Sequence, residues 1–138
     1  FQPSERMSAT LRLAVRKRAN ARCEYCQLPD LLPHLMRFHL EHVQARRHGG
    51  STSLANLAWA CARCNERKGP NLSGVDPDTN RAVRLFHPRR DVWARHFSWE
   101  GLRIRGLTAT GRATAWLLEF NSDERLKLRQ GLRMLGLF

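Results

Sequence analysis

Residues 38–69 read FHLEHVQARRHGGSTSLANLAWACARCNERKG, and this stretch decides the fold. Leu35 to Val43 reads as a strand, Arg46 to Ser53 with Gly49-Gly50 as the turn region of a long hairpin, and Leu57 to Ala60 as the returning strand. A short helix then runs through Asn65 and Lys68 and is stopped by Gly69-Pro70. Trp59 is assigned to the core. The segment carries an adjacent Glu41-His42 pair, Asn56, a Cys61-x-x-Cys64 pair and Asn65, a density of ligand-type side chains that packing alone does not demand.

A second Cys-x-x-Cys lies upstream at Cys23 and Cys26, and residues 27 to 60, 34 in all, separate the two pairs. Tetrahedral thiolate coordination needs two such short chelating turns brought together by the fold, so Cys23, Cys26, Cys61 and Cys64 read as a structural zinc site with no open position for substrate. The alternatives are two disulfides or a redox dithiol. Neither pair sits in the βαβ setting of a thioredoxin-like motif, and an intracellular setting disfavours disulfides.

The chain has 138 residues, enough for one modest core with an elaboration. Its 24 Lys and Arg against 12 Asp and Glu give a formal charge of +12, which points to a polyanionic partner. No apolar run approaches the ~20 residues of a membrane span, so a cytoplasmic protein with no membrane partner is expected. Between Val43 and Val75 the basic residues Arg46, Arg47, Arg63, Arg67 and Lys68 face a single acidic one, Glu66. These five are the candidate nucleic-acid contacts.

Upstream, Ser8 can cap a helix with Leu11, Val15 and Ala19 on its apolar face, ending near Asn20. Its arginines serve as a solvated face or as phosphate contacts. Pro29 and Pro33 limit regular structure before the hairpin. Residues 71–78 are loop-like, with Asp76 and Asp78 as turn residues. Arg81 to Phe86 and Gly101 to Leu107 alternate as two strands, and Arg112 to Phe120 leans to helix over strand. Asn121 with Glu124 resembles a capping box for a last helix burying Leu128, Leu132 and Leu135. Trp93, Phe97 and Trp99 belong to a tail core, with base stacking as the alternative. His48 sits in the turn, and His34, His87 and His96 carry no spacing signal.

The order Glu-His, then Asn, then Cys-x-x-Cys-Asn-x-x-Lys resembles the HNH nuclease family, and the upstream Cys23-x-x-Cys26 resembles its zinc-containing branch. The tail is similar to stand-alone bacterial HNH proteins. The resemblance implies an α+β fold: a ββα-metal, treble-clef-like core stapled by a four-cysteine zinc site over residues 23–70. A basic N-terminal helix would occupy 1–22 and a C-terminal α/β extension 71–138. It implies an endonuclease hydrolysing DNA phosphodiesters to 5′-phosphate and 3′-hydroxyl ends. His42 matches the general base, Glu41 and Asn65 the ligands of one divalent ion, and Asn56 the residue that pins the hairpin loop and orients the base.

These residue types suit the chemistry. A neutral imidazole with an ordinary pKa near 6.5 can take a proton from water near neutral pH. Carboxylate and amide oxygens suit Mg2+ or Mn2+. Adjacent residues of an ideal strand point to opposite faces, so Glu41 and His42 converge only if the strand bends or ends there. His39 shares Glu41's face and is either a packed histidine or an extra ligand. The rival readings are a non-catalytic zinc module that binds nucleic acid, and a nuclease acting mainly on RNA or structured nucleic acid. Oligomeric state is not legible.

Overall fold

The hairpin forms because two strands meet in a register that pairs their large apolar side chains. In the computed structural model, β1 (Phe38–His42) runs antiparallel to β2 (Leu57–Cys61), with Leu40 opposite Trp59, Glu41 opposite Ala58 and His42 opposite Leu57. Phe38 and Trp59 stack with ring centroids 5.8 Å apart. Every residue of β2 is buried, because α1 (Pro3–Arg18) packs on β2 and α2 (Ala62–Lys68) packs on both strands. The structure describes the backbone of residues 3–31 and 36–138 and the side chains of 8–31 and 36–138. Pro33, His34 and the expected strand start at Leu35 lie outside the described residues; β1 begins at Phe38.

α1 starts before Ser8, which therefore lies inside the helix and does not cap it. Val15 is buried in the core, with Leu11 and Ala19 packed against it. The arginines of this helix are ties to the hairpin and first knuckle as much as a solvated face. Arg12 donates to the Phe38 carbonyl at 3.0 Å and lies 4.6 Å over the Trp59 ring. Arg16 pairs with Asp30 at 2.9 Å, and Arg18 donates to the carbonyls of Leu54 and Leu57 at 2.9 and 2.7 Å.

The C-terminal half departs from its expected outline. Residues 71–78 are not all loop: β3 (Ser73–Val75) pairs with β4 (Ala82–Arg84). After the short α3 (Trp93–His96), β5 (Phe97–Glu100) pairs with β6 (Arg103–Gly106). The two expected strands thus belong to separate hairpins. α4 spans Ala109–Leu117, capped by the Thr108 hydroxyl accepting from Gly111 N at 3.0 Å. Gly111 is required there, since a Cβ would lie 2.1 Å from the His96 carbonyl oxygen. Phe97 is fully enclosed and packs on Phe86, Trp93 and Phe120, so these aromatics build the tail core.

The last helix, α5 (Asp123–Met134), is capped by Ser122 and not by Asn121. Asn121 is used otherwise: its amide bonds both the N–H and the carbonyl of Ile104 at 2.8 Å. The buried face of α5 is Arg125, Arg129 and Leu132, whereas Leu128 and Leu135 are 39% and 70% exposed. Two of the three leucines expected in the core are therefore replaced there by arginines.

Asp76 staples the β3–β4 turn to α4 through both carboxylate oxygens, which accept from Arg112 at 3.0 and 2.9 Å. Those bonds hold its pKa down, to about 2. A folded-state pKa below the unfolded one contributes stability that is complete above the ordinary value near 3.9 and lost as pH falls toward 2. Asp76→Asn is expected to melt at a lower temperature than wild type at pH 6, with the difference shrinking as melts are repeated from pH 4 to pH 2.

Candidate metal centre and hydrolytic site

Two segments converge on one buried point. The first knuckle turns tightly, with Gln27 N donating to the Cys23 carbonyl at 2.9 Å and Cys23 N to the Leu28 carbonyl at 2.9 Å. The second sits where β2 ends and α2 begins: the Cys61 sulfur caps α2 by accepting from Cys64 N at 3.5 Å. All four sulfurs lie within 4.8 Å of one another, and the side chains are buried. Cys26 and Cys61 sulfurs are 3.7 Å apart. A tetrahedron with Zn–S bonds of about 2.3 Å sets sulfurs about 3.8 Å apart, whereas a disulfide needs about 2.05 Å. The four cysteines are free thiols, so the disulfide alternative falls and the residues fit a zinc ion.

Burial pushes the Cys23 and Cys64 thiols well above their usual range, and hydrogen bonds from Cys23, Cys61 and Cys64 hold Cys26 well below it. The support for a cluster of thiolates comes from the cations set against the sulfurs. Arg125 donates to the Cys64 sulfur at 3.0 Å. Burial works against its charge, but the surrounding sulfurs outweigh that and raise its pKa. Arg129 is also buried, and its pKa is lowered by burial while Cys26, Cys64 and Cys61 oppose the change. Four thiolates around Zn2+ leave two negative charges, which the two guanidinium groups of α5 match.

The hairpin loop is held by Asn56. Its Oδ1 accepts from Gln44 N at 2.9 Å, and its Nδ2 donates to the carbonyls of Gln44 and Ser51 at 3.0 and 2.8 Å. Gly50 is a close-approach position, because a Cβ there would lie 1.8 Å from the Gln44 carbonyl oxygen. The pinned loop brings the Thr52 hydroxyl to 2.9 Å from His42 Nε2. Burial, and then the positive charge of Arg46, lower the His42 pKa from its usual value.

Strand alternation separates His42 from its neighbour. Glu41 turns inward and is 4% exposed. Its Oε2 accepts from the Tyr25 hydroxyl at 2.6 Å, and its Oε1 lies 2.7 Å from the Lys68 ammonium. Lys68 also donates to the Val43 carbonyl at 2.7 Å. The carboxylate is thus engaged at both oxygens, by a hydroxyl and by an ammonium. Burial raises the Glu41 pKa, while Lys68 and Tyr25 pull it back. Among the described residues, the four cysteines are the only group of three or more His, Cys or acidic side chains placed to hold an ion. For a hard divalent ion the donor types fit, namely the carboxylate of Glu41, which already holds a cation in the Lys68 ammonium, and the amide of Asn65, a half-exposed residue of α2.

The candidate phosphate contacts divide. Lys68 is corrected: at 1% exposure it is inside the protein, spent on Glu41 and Val43, and presents no charge to a phosphate. Arg46 and Arg47 are exposed in the loop. Arg63 and Arg67 are half-exposed and paired with Glu124 and Glu119. His39 is half-buried and lines a cleft with Arg12, Arg37 and Asp30. A larger cleft, of about 900 Å3, is lined by Arg67, Arg103 and Trp116 among others and includes none of Glu41, His42 and Asn65. Tyr25, Thr52, Arg125 and Arg129 are site residues that the motif does not reveal. Tyr25 lies between two ligands, and arginines four apart, at 125 and 129, with Leu132 beyond them are the pattern of an inner helix face built to meet an anion.

No helix among the described residues is long and apolar enough to cross a membrane. A family model described as HNH endonuclease matches residues 23–71, which brackets both knuckles, the hairpin and α2. The family acts on nucleic acids, and the match indicates nuclease-type function in general. No curated protein and no solved structure matches the chain.

Arg125→Met removes the donor to Cys64 while keeping much of its bulk. Loss of such an outer-shell partner costs about 10–100-fold in metal affinity. Zinc release to a chromophoric chelator is therefore expected to be at least about tenfold faster than from wild type, with Lys127→Ala, at an exposed position of the same helix, unchanged.

Proposed function

Taking residues 23–71 as an HNH endonuclease domain, we propose that the protein hydrolyses phosphodiester bonds in DNA, with His42 as general base and Glu41 and Asn65 holding one Mg2+ or Mn2+ ion. The observation that carries this reading is the placement of His42: at the last position of β1, with Nε2 against the Thr52 hydroxyl of a loop locked by Asn56. In the tautomer that donates from Nε2 to Thr52, the lone pair of Nδ1 is free to take a proton from water. The hydrogen bond restricts ring rotation, so the base is oriented before substrate arrives.

The bound ion would supply electrostatic stabilisation of charge developing on the phosphate oxygens. Glu41 and Asn65 would hold it through one carboxylate and one amide oxygen. Thr52 keeps the imidazole in its tautomer, and Asn56 keeps Thr52 in place. Arg46 and Arg47, exposed on the same loop, attract the phosphate backbone, and Arg46, after burial, disfavours protonation of His42. Double-stranded DNA is the substrate proposed.

One contact favours the rival reading of a zinc module that binds nucleic acid without cutting it. The Glu41 carboxylate is already engaged by Tyr25 and Lys68. A domain in which that pair never opens would bind and not hydrolyse.

Supercoiled plasmid incubated with Mn2+ or Mg2+ separates the two. His42→Ala is expected to cut roughly 10²–10⁴-fold more slowly, while its mobility-shift binding of DNA matches wild type. Equal cleavage by both proteins would remove His42 from the mechanism. Because the base must be neutral and its pKa is depressed, wild-type activity is expected to rise with pH along a limb lying below 6.5 and to be level at neutrality. Arg46→Ala, which removes the neighbouring cation, should move that limb to higher pH.

A further inference from the structure

Lys68 occupies an unusual place for a lysine. Only 1% of it and 4% of Glu41 are exposed, and a buried lysine is rare unless paired. Its ammonium reaches Glu41 Oε1 and the Val43 carbonyl, each at 2.7 Å, so it bridges the strand that carries Glu41 to the helix that carries Asn65. The Tyr25 hydroxyl holds the other carboxylate oxygen at 2.6 Å. Both oxygens of Glu41 are thus engaged, Oε2 by a neutral hydroxyl and Oε1 by the ammonium, so Oε1 already carries a cation.

A divalent ion using Oε1 meets that ammonium as a like charge in a water-poor interior, where repulsion is much stronger than in solvent. A lysine head is a compact point charge on a flexible four-carbon stem. Lys68 is the last residue of α2, and Gly69, with φ +50, ends the helix immediately after it.

We propose that Lys68 is a positioning residue: it is the resident counter-cation of Glu41, seating the carboxylate before metal arrives, and the divalent ion binds by displacing the ammonium from Oε1. This rests on the reading of Glu41 as a metal ligand. It assigns Lys68 to the control of metal affinity and not to phosphate binding. The ion pair that makes the hairpin site stable without divalent metal is then the pair that sets how much metal the site requires.

The test is a calorimetric titration of Mn2+ into the zinc-loaded full chain, in wild type, Lys68→Met, Glu41→Gln and the double variant. Lys68→Met is expected to bind Mn2+ at least tenfold more tightly than wild type. It is also expected to gain more melting temperature from Mn2+, since the ion replaces the missing charge; a merely structural lysine would weaken the fold without tightening the metal. Glu41→Gln should weaken binding in both backgrounds. If Glu41→Gln weakens Mn2+ binding but Lys68→Met leaves it unchanged or weaker, the lysine inference falls while Glu41 stays a ligand. If Glu41→Gln changes nothing in either background, both fall together. Should Lys68→Met fail to fold, the wild-type protein decides: the slowly exchanging Lys68 ammonium resonance is expected to disappear on saturation with Mg2+, and its persistence would overturn the displacement.

Discussion

Four sulfurs drawn from two segments 34 residues apart meet within 4.8 Å, and the hairpin, the helix that follows it and the last helix all hang on that meeting. Structural zinc in small domains is worth about 10–16 kcal/mol, against a typical total stability of about 5–15 kcal/mol. A zinc ion held by these sulfurs would contribute on the scale that decides whether a fold of small two-stranded sheets exists. The site also organises what lies around it. Cys61 ends β2 and caps α2, so a member of the four-cysteine cluster sets the junction from which Asn65 and Lys68 project. Tyr25, inside the first knuckle, reaches Glu41 on β1. The centre that holds the backbone therefore also positions the carboxylate proposed for catalysis.

The C-terminal region is tied to this centre by charge. Arg125 donates to a cysteine sulfur and Arg129 lies buried one turn further along α5. Burying two guanidinium groups is costly unless an anion answers them, and the thiolate cluster is that anion. The docking of α5 and the loading of the metal site are consequently one electrostatic problem.

The formal charge of +12 overstates what the surface offers a polyanion. Arg12, Arg16 and Arg18 tie α1 to the hairpin and first knuckle, Arg112 binds Asp76, and Arg125, Arg129 and Lys68 are inside. Arg46 and Arg47 are left exposed on the loop that carries Thr52 and Asn56. Of these two, Arg46 is close enough to His42 for its charge to lower the imidazole pKa.

The ligand set, the hairpin and the pinning role of Asn56 were legible in the sequence because each depends on local spacing: two residues between cysteines, a Gly-Gly turn between apolar runs, a helix closed by Gly69-Pro70. The tail aromatics were legible for a similar reason, since large apolar groups have few alternatives to a core. What local spacing does not carry is which of two equivalent groups an environment selects. Asn121 and Ser122 are both good caps, and the backbone of Ile104 claimed the first. Leu128 and Leu135 have the right period for a core, yet the anionic cysteine cluster drew Arg125 and Arg129 to the inner face instead. Lys68 reads as a surface lysine until the fold sets a buried carboxylate 2.7 Å from its ammonium. By itself the sequence determined which ligand-type side chains are present and how the cysteines are spaced. The tertiary structure alone decided which charges meet, because the energy of a charge depends on what lies within a few ångströms of it and not on its neighbours along the chain.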